Sequence, residues 1–224
     1  MNDYEHTPMG YEQEYHEEKH QYLYSDPYYY KARAELARRR YFKKEDSDQK
    51  ILEVGVGLGQ NIATFEKKVG YDISEFAVKF CKTKDVMATT NINKIPDNLF
   101  DIAISVHMLE HVENPLKTLR LVHSKLRKGG KLILITPIDK PKKIKDNKLQ
   151  KDINQHLWTW TPQLMINLLI KAEFKPIENK IISTCAYKKL LPLRKIGIKT
   201  YDLATRFAGV IMRDRELKFI AVKE

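Results

Sequence analysis

The run Ile51-Leu52-Glu53-Val54, followed by Gly55-Val56-Gly57-Leu58-Gly59, constrains this chain more than any other stretch. Three branched apolar residues around Glu53 read as a buried strand. Glycines at alternate positions let the backbone turn where a Cβ would forbid it and approach a ligand closely. A short helix is expected from about Gln60 to about Lys68. Its first turn would aim free N–H groups and a positive dipole end at a bound carboxylate. The dinucleotide fingerprint G-x-G-x-x-G needs a glycine where Gln60 stands, which disfavours a nucleotide-dependent oxidoreductase. Taken alone, the loop is also consistent with a plain strand-to-helix turn.

From Ile51 onward strand and helix patterns alternate, which predicts a parallel sheet with helices on both faces. Further strands are expected at 69–72, 85–90, 101–106, 131–136, 177–184 and 217–222. Ser74 is placed to cap a helix to about Lys84, and Asn114-Pro115 to open one that ends at Gly129-Gly130. Thr161-Pro162 opens another, to about Ala172. The fold class is therefore α/β: a Rossmann-like, seven-stranded, mostly parallel sheet with an N-terminal helical cap.

That cap is expected over 1–42, with the core at 43–224 and a basic insert at about 185–216. Tyr11, Tyr15 and Tyr22 share one helical face; Ser25-Asp26-Pro27 stops that helix and starts a second, with Tyr30, Ala34, Ala37 and Tyr41 on one side. Nine of the twelve tyrosines precede residue 42, which suits a wall half buried and half wet. Such a wall is either a lid over an active site or helices packing their aromatics on the core.

The net charge of +11 is uneven: residues 1–30 hold seven carboxylates and one lysine, so the remainder carries +17. Either the surface is simply lysine-rich and solvated, or the partner is anionic: a small molecule, a membrane surface or nucleic acid. Two cysteines, Cys81 and Cys185, fit a reducing compartment. The acidic, polar start carries no secretory leader, and no apolar run approaches the ~20 residues that span a bilayer. A cytoplasmic location is expected.

Glu53, Gly55, Gly57 and Gly59 resemble the first motif, E/D-x-G-x-G-x-G, of the class I S-adenosylmethionine methyltransferases. Gly70-Tyr71-Asp72-Ile73-Ser74 resembles that family's G-x-D-x-S. The segment Phe100 to Val112, with Leu109-Glu110-His111, resembles its strand-four region in the small-molecule branch, and Lys128 to Leu132 its glycine pair before strand five. The resemblance covers about residues 50–137 and implies S-adenosylmethionine as cofactor. It implies that Glu53, the three glycines and Asn61 lie around the methionyl end, with Asp72 on the ribose hydroxyls and Ile73 beside it. The family's adenine-side aspartate is replaced by Asn91, so Asn91 and Ile92 take that place by position only. The resemblance also implies that Ser105 lines the pocket from strand four.

Methyl transfer to a hydroxyl needs a general base, whereas a neutral amine does not. His107, at the carboxyl end of strand four, is one candidate base; it could instead bond local backbone or line the cofactor pocket. His156, in Asn154-Gln155-His156-Leu157-Trp158-Thr159-Trp160, is the second. His111 and His123 read as structural. Trp158 and Trp160 share a side if extended and either wall an acceptor pocket or staple a helix entry. The insert from Tyr187 to Arg213 is basic and apolar together, suited to an anionic membrane surface, a lipid-linked acceptor or a solvated helical cap. The leading expectation is O-methylation of a small or lipid- or sugar-linked acceptor. RNA is the second candidate acceptor, though the N/D-P-P-Y/F box is absent, and a non-catalytic S-adenosylmethionine-binding domain is a third reading. No residues are assigned to a metal.

Overall fold

The structure, a computed structural model, describes residues 13–138 and 155–224. Seven strands, β1 (Ile51–Val54), β2 (Lys68–Tyr71), β3 (Met87–Thr89), β4 (Phe100–Val106), β5 (Leu126–Pro137), β6 (Phe174–Ser183) and β7 (Arg215–Lys223), form one sheet in the order β3-β2-β1-β4-β5-β7-β6. All pairs are parallel except those of β7, which runs antiparallel to both β5 and β6. Every residue of β1 is buried, because β1 lies inside the sheet and is covered on both faces. The strand order reverses between β1 and β4. The crevice beyond their carboxyl ends is where α/β sheets bind ligands.

The helices form where capping residues stand. In α2 (Pro27–Tyr41) the Asp26 carboxylate accepts from Tyr29 N and Pro27 takes the first turn. Ser74 caps α3 (Glu75–Thr83), Asn114 caps α4 (Pro115–Lys125) and Thr161 caps α5 (Pro162–Lys171), each through a side-chain oxygen that accepts from a backbone N–H. The first helix, α1 (Gln13–Ser25), kinks at His20. The insert after β6 folds as a single turn, α6 (Tyr187–Leu190), a 3-10 stretch over Leu191–Lys195, and α7 (Ile198–Met212). Among the described residues no helix is long and apolar enough to cross a membrane. Tyr11, Asn154 and the lysine-rich loop at 140–151 lie outside the described residues.

Two expectations are corrected. No helix follows the glycine loop: residues 55–67 cross from β1 to β2 as successive turns, with Gly59 N bonded to Val56 O and Phe65 N to Ile62 O. Neither Gly59 nor Gln60 offers a capping oxygen, and the side chain of Asn61 is drawn to Glu53 instead. Ile62 and Phe65 still bury against the sheet, so the turns do the covering a helix would, while Leu58 packs towards the N-terminal helices. The second correction concerns Gly129-Gly130, which does not end α4. That helix stops at Lys125, and Leu126, fully buried, already pairs with Phe100. The glycines fall in the irregularity of β5, where a Cβ on Gly130 would meet Arg127 O at 2.8 Å.

The N-terminal helices and the insert pack on each other. Leu23, Tyr29, Tyr30 and Leu36 share a core cluster with Leu58, Phe80, Leu191 and Tyr201. Tyr41 and Ala37 join the sheet's own core. Arg40 donates to Asp202 at 2.7 Å, and Arg194 makes a two-pronged pair with Glu35. Most of the described tyrosines of α2 are thus packing residues, whereas Tyr22, Tyr24 and Tyr28 are exposed.

Candidate active site

The floor of the crevice is built by β1 and the loop after it. Glu53 is fully buried; its Oε1 accepts from Asn61 Nδ2 at 2.6 Å, and its Oε2 has no hydrogen-bond partner. Burial pushes its carboxyl well above the usual range, Asn61 partly offsets this, and the nearby Asp72 charge adds to the rise. On the neighbouring strand Ser105 Oγ is also buried without a partner. Orphaned buried polar atoms are rare and mark places where a ligand or water supplies the missing bond. A cationic amine beside Glu53 would restore its charge.

All three glycines hold positive φ, but they face different surroundings. A Cβ at Gly55 would stand 2.5 Å from Met108 Cγ, and one at Gly59 would crowd Cys81 and Val86. Gly57 alone faces open space, so it is the glycine whose bare backbone can meet a ligand. Asp72, just past β2, ties the loop down: one carboxylate oxygen accepts from Gly57 N at 2.7 Å and the other from Ser74 N at 3.0 Å. Ile73 beside it is exposed. Asn91 spends its side-chain oxygen on Asn93 N, and the Ile92 side chain is in the core, leaving its backbone as the only part that could face a ligand. These residues therefore fit S-adenosylmethionine at Glu53, Asn61, Gly57, Asp72 and Ile73, and less directly at Asn91 and Ile92.

His107 sits where β4 ends. It adopts φ +52, a conformation uncommon for a non-glycine residue and often found at functional positions. Its Nε2 lies 2.8 Å from Glu216 Oε1 at the start of β7, and its Nδ1 3.8 Å from Glu110 Oε1. Burial disfavours the imidazolium, but the hydrogen bond to Glu216 and the charges of Glu216 and Glu110 outweigh it, so the pKa rises. The charges of Arg33 on α2 and of His107 also act on His20 of α1, whose pKa falls to about 4, chiefly through burial. A cavity of about 80 Å³ between α1 and α2 is lined by Lys19, His20, Tyr22, Leu23, Tyr29 and Arg33. The Arg33 guanidinium stacks 3.8 Å from the centre of the Tyr187 ring.

His156 packs edge-on against His111, with ring centres 5.0 Å apart, and Leu157 N donates to Glu110 O, so His156 and His107 approach the same residue, Glu110. Trp158 and Trp160 do lie together, rings 6.1 Å apart; Trp160 is core, and Trp158 is half exposed with its indole N–H on Val112 O. His123 packs on Phe174. The sequence reading missed Glu110, Glu216, His20 and Arg33 as neighbours of His107. Only Glu110 carried a local signal, three residues from His107 in the Leu109-Glu110-His111 triplet.

The fold recurs in solved structures at low identity. A Thermotoga maritima S-adenosylmethionine-dependent methyltransferase, described as a possible histamine N-methyltransferase, superposes with a TM-score of 0.62 at 16% identity, over 94% of this chain and 97% of that one. The Haemonchus contortus phosphoethanolamine N-methyltransferase 2, solved with phosphomonomethylethanolamine and S-adenosylhomocysteine, gives 0.56 at 18% identity, over 85% of this chain and 52% of that one. The cyclase SpnF gives 0.57 at 17% identity, over 85% and 80%, so the fold does not dictate the reaction. Two uncharacterised proteins of Methanocaldococcus jannaschii are 34% identical over 86 and 100 residues, which is 37% and 43% of this chain. These matches span less than half the length of the two curated relatives, 42% and 44%. A family model described as a methyltransferase domain matches residues 26–179. That is more than half of the chain and includes the glycine loop, Asp72 and His107, and the protein belongs to this methyltransferase-domain family.

Proposed function

We propose that this methyltransferase moves a methyl group from S-adenosylmethionine to a hydroxyl of a small, anionic acceptor held between α1, α2 and the carboxyl end of β4. The observation that carries this reading is His107, strained at the end of β4 and anchored by Glu216, with Arg33 within electrostatic range. With Nε2–H donated to Glu216, Nδ1 is the proton acceptor. The acceptor oxygen bonds to the methyl carbon as the carbon–sulfur bond breaks, the electron pair stays on sulfur, and the hydroxyl proton passes to Nδ1. The sulfonium supplies the methyl group; the chain supplies alignment, worth up to about 7–11 kcal/mol in favourable cases, and the base. Lys19 and Arg33 at the cavity between α1 and α2 suit a phosphate or carboxylate on the acceptor.

The donor half is tested by thermal shift. S-adenosylmethionine at a hundred times its Kd should stabilise the chain by about 2.7 kcal/mol, and NAD should not. Asp72→Ala should weaken binding roughly 10–100-fold by calorimetry, because a charged acceptor is removed from both the ribose site and the Gly57 loop. An unchanged affinity would remove Asp72 from the site. A labelled-methyl screen over phosphorylated sugars, lipids and RNA identifies the acceptor class; label on RNA alone would replace the small-molecule reading.

A lipid-linked acceptor is favoured by a separate observation. Leu203, Phe207, Val210 and Ile211 form an exposed apolar stripe on α7, flanked by the exposed Lys199 and Arg206. Apolar stripes bordered by cations suit the interface of an anionic bilayer. Vesicles of phosphatidylglycerol should sediment the protein and those of phosphatidylcholine should not. Phe207→Glu should lower that binding about tenfold or more. No sedimentation with either vesicle would leave the stripe without a lipid role.

A further inference from the structure

The 3-10 turn Leu109–His111 that follows β4 carries a fully buried carboxylate, Glu110, and the imidazole of His111 beside it. His156 arrives from the connection between β5 and α5, far away in sequence. It is clamped there: Leu157 N donates to Glu110 O at 2.8 Å, Trp158 N to the same oxygen at 3.2 Å, and Trp158 Nε1 to Val112 O at 2.7 Å. One ligand atom from each of Glu110, His111 and His156 lies within 4.8 Å of the other two. We propose that these three residues form a binding site for a divalent transition metal at the carboxyl end of β4.

The donor set and its spacing carry the proposal. Glu110 brings a buried carboxylate that already faces His107 and His111, and an ion held among these groups would offset its charge further. Glu110 Oε1 stands 4.0 Å from His111 Nε2, longer than a hydrogen bond and close to the separation of two ligands on one ion. Ligands about 2.1 Å from zinc stand roughly 3.4 Å apart in a tetrahedron, so atoms that lie within 4.8 Å of one another need to close by up to about 1.4 Å. Two imidazoles and one carboxylate suit zinc, iron, cobalt or nickel, whereas magnesium prefers oxygen alone. Three protein ligands leave at least one position for water or an oxygen of the acceptor, as in catalytic rather than structural sites. The metal site stands on its own; only the idea that an acceptor oxygen fills the open position rests on the methyltransferase reading.

Zinc and cobalt are titrated into the full chain after chelator treatment and desalting. The expected result is one ion per chain and cobalt absorption bands of a four- or five-coordinate site. Affinity should fall at least about tenfold in His156→Ala and in Glu110→Gln, and stay unchanged in His123→Ala. His156 is only partly buried, so its variant remains informative should the Glu110 variant fail to fold. Absence of stoichiometric binding by the folded wild type overturns the site. So does binding that survives His156→Ala, which would place the ion elsewhere, for example on His16 and His20. The S-adenosylmethionine thermal shift, run on the same metal-free sample, separates the two ideas. A shift without metal binding overturns the metal site alone, and metal binding without a shift overturns the donor alone.

Discussion

His107→Ala is expected to lower turnover by roughly 10²–10⁴-fold while S-adenosylmethionine affinity changes little. The residues proposed to hold the donor, Glu53, Asn61, Gly57 and Asp72, lie on β1, on the loop after it and just past β2, where Glu53 bonds to Asn61 and Asp72 to Gly57 and Ser74. Loss of the imidazole should therefore appear in kcat with acceptor saturating, read from labelled-methyl transfer, with the donor Kd read separately by calorimetry. Added imidazole should restore part of the rate to the alanine variant. A role limited to holding Glu216 or relieving buried charge would not be rescued that way. Glu216→Gln should have a smaller effect in the same direction, because Glu216 positions the ring and sets its tautomer without touching the acceptor. If His107→Ala keeps full turnover on a hydroxyl acceptor, His107 is not the base. An amine acceptor, which needs none, then becomes the better reading.

Asp202→Ala should have the largest effect on stability. Asp202 is nearly fully buried on α7 and accepts from Arg40 at 2.7 Å, Arg39 at 3.0 Å and Arg206 at 3.1 Å. Arg40 is equally buried, and without Asp202 it keeps, among the described residues, Tyr187 and Thr205 as polar side-chain partners. Breaking a buried pair from one side costs about 3–5 kcal/mol, which for a chain of this size is on the order of 10 °C in Tm. Replacing both partners, Arg40→Met with Asp202→Leu, should recover most of that loss, since no charge is then stranded. Thermal melts of wild type, Arg40→Met, Asp202→Leu and the double variant give the coupling. A loss under 1 kcal/mol in Asp202→Ala would mean that water compensates Arg40.

The pH dependence of that pair has a definite sign. Burial raises the Asp202 carboxyl, but the hydrogen bonds and charges of Arg40 and Arg206 outweigh it and hold the folded pKa below the ordinary 3.8. A depressed folded pKa contributes stability that is present above the unfolded value and lost as pH falls through the folded one. Wild-type Tm should therefore drop below about pH 4 more steeply than that of Asp202→Asn. The pair also bears on function, because it fastens α2 to α7 and so sets where Arg33 and His20 stand relative to His107.

Much of the donor side could be read from local pattern. A buried strand, glycines at alternate positions and a carboxylate at the end of the next strand depend on backbone conformations and spacings of fewer than twenty residues, which one stretch of chain specifies. Capping residues located α2, α3, α4 and α5 for the same reason. The helix expected after Gly59 failed because its decisive competitor, the buried carboxylate of Glu53, is recognised only once β1 is inside a sheet and Asn61 is within reach. The acceptor side was hidden more thoroughly. His107 and Glu216 are 109 residues apart in sequence, and His156 reaches Glu110 across a connection between two elements. The antiparallel insertion of β7 between β5 and β6 brings Glu216 to the carboxyl end of β4. By itself the sequence determined the family motif and the glycine loop's backbone turns, because those rest on short-range sterics. Only the tertiary structure decided which titratable groups face His107, because side chains that distant meet through strand order and register alone.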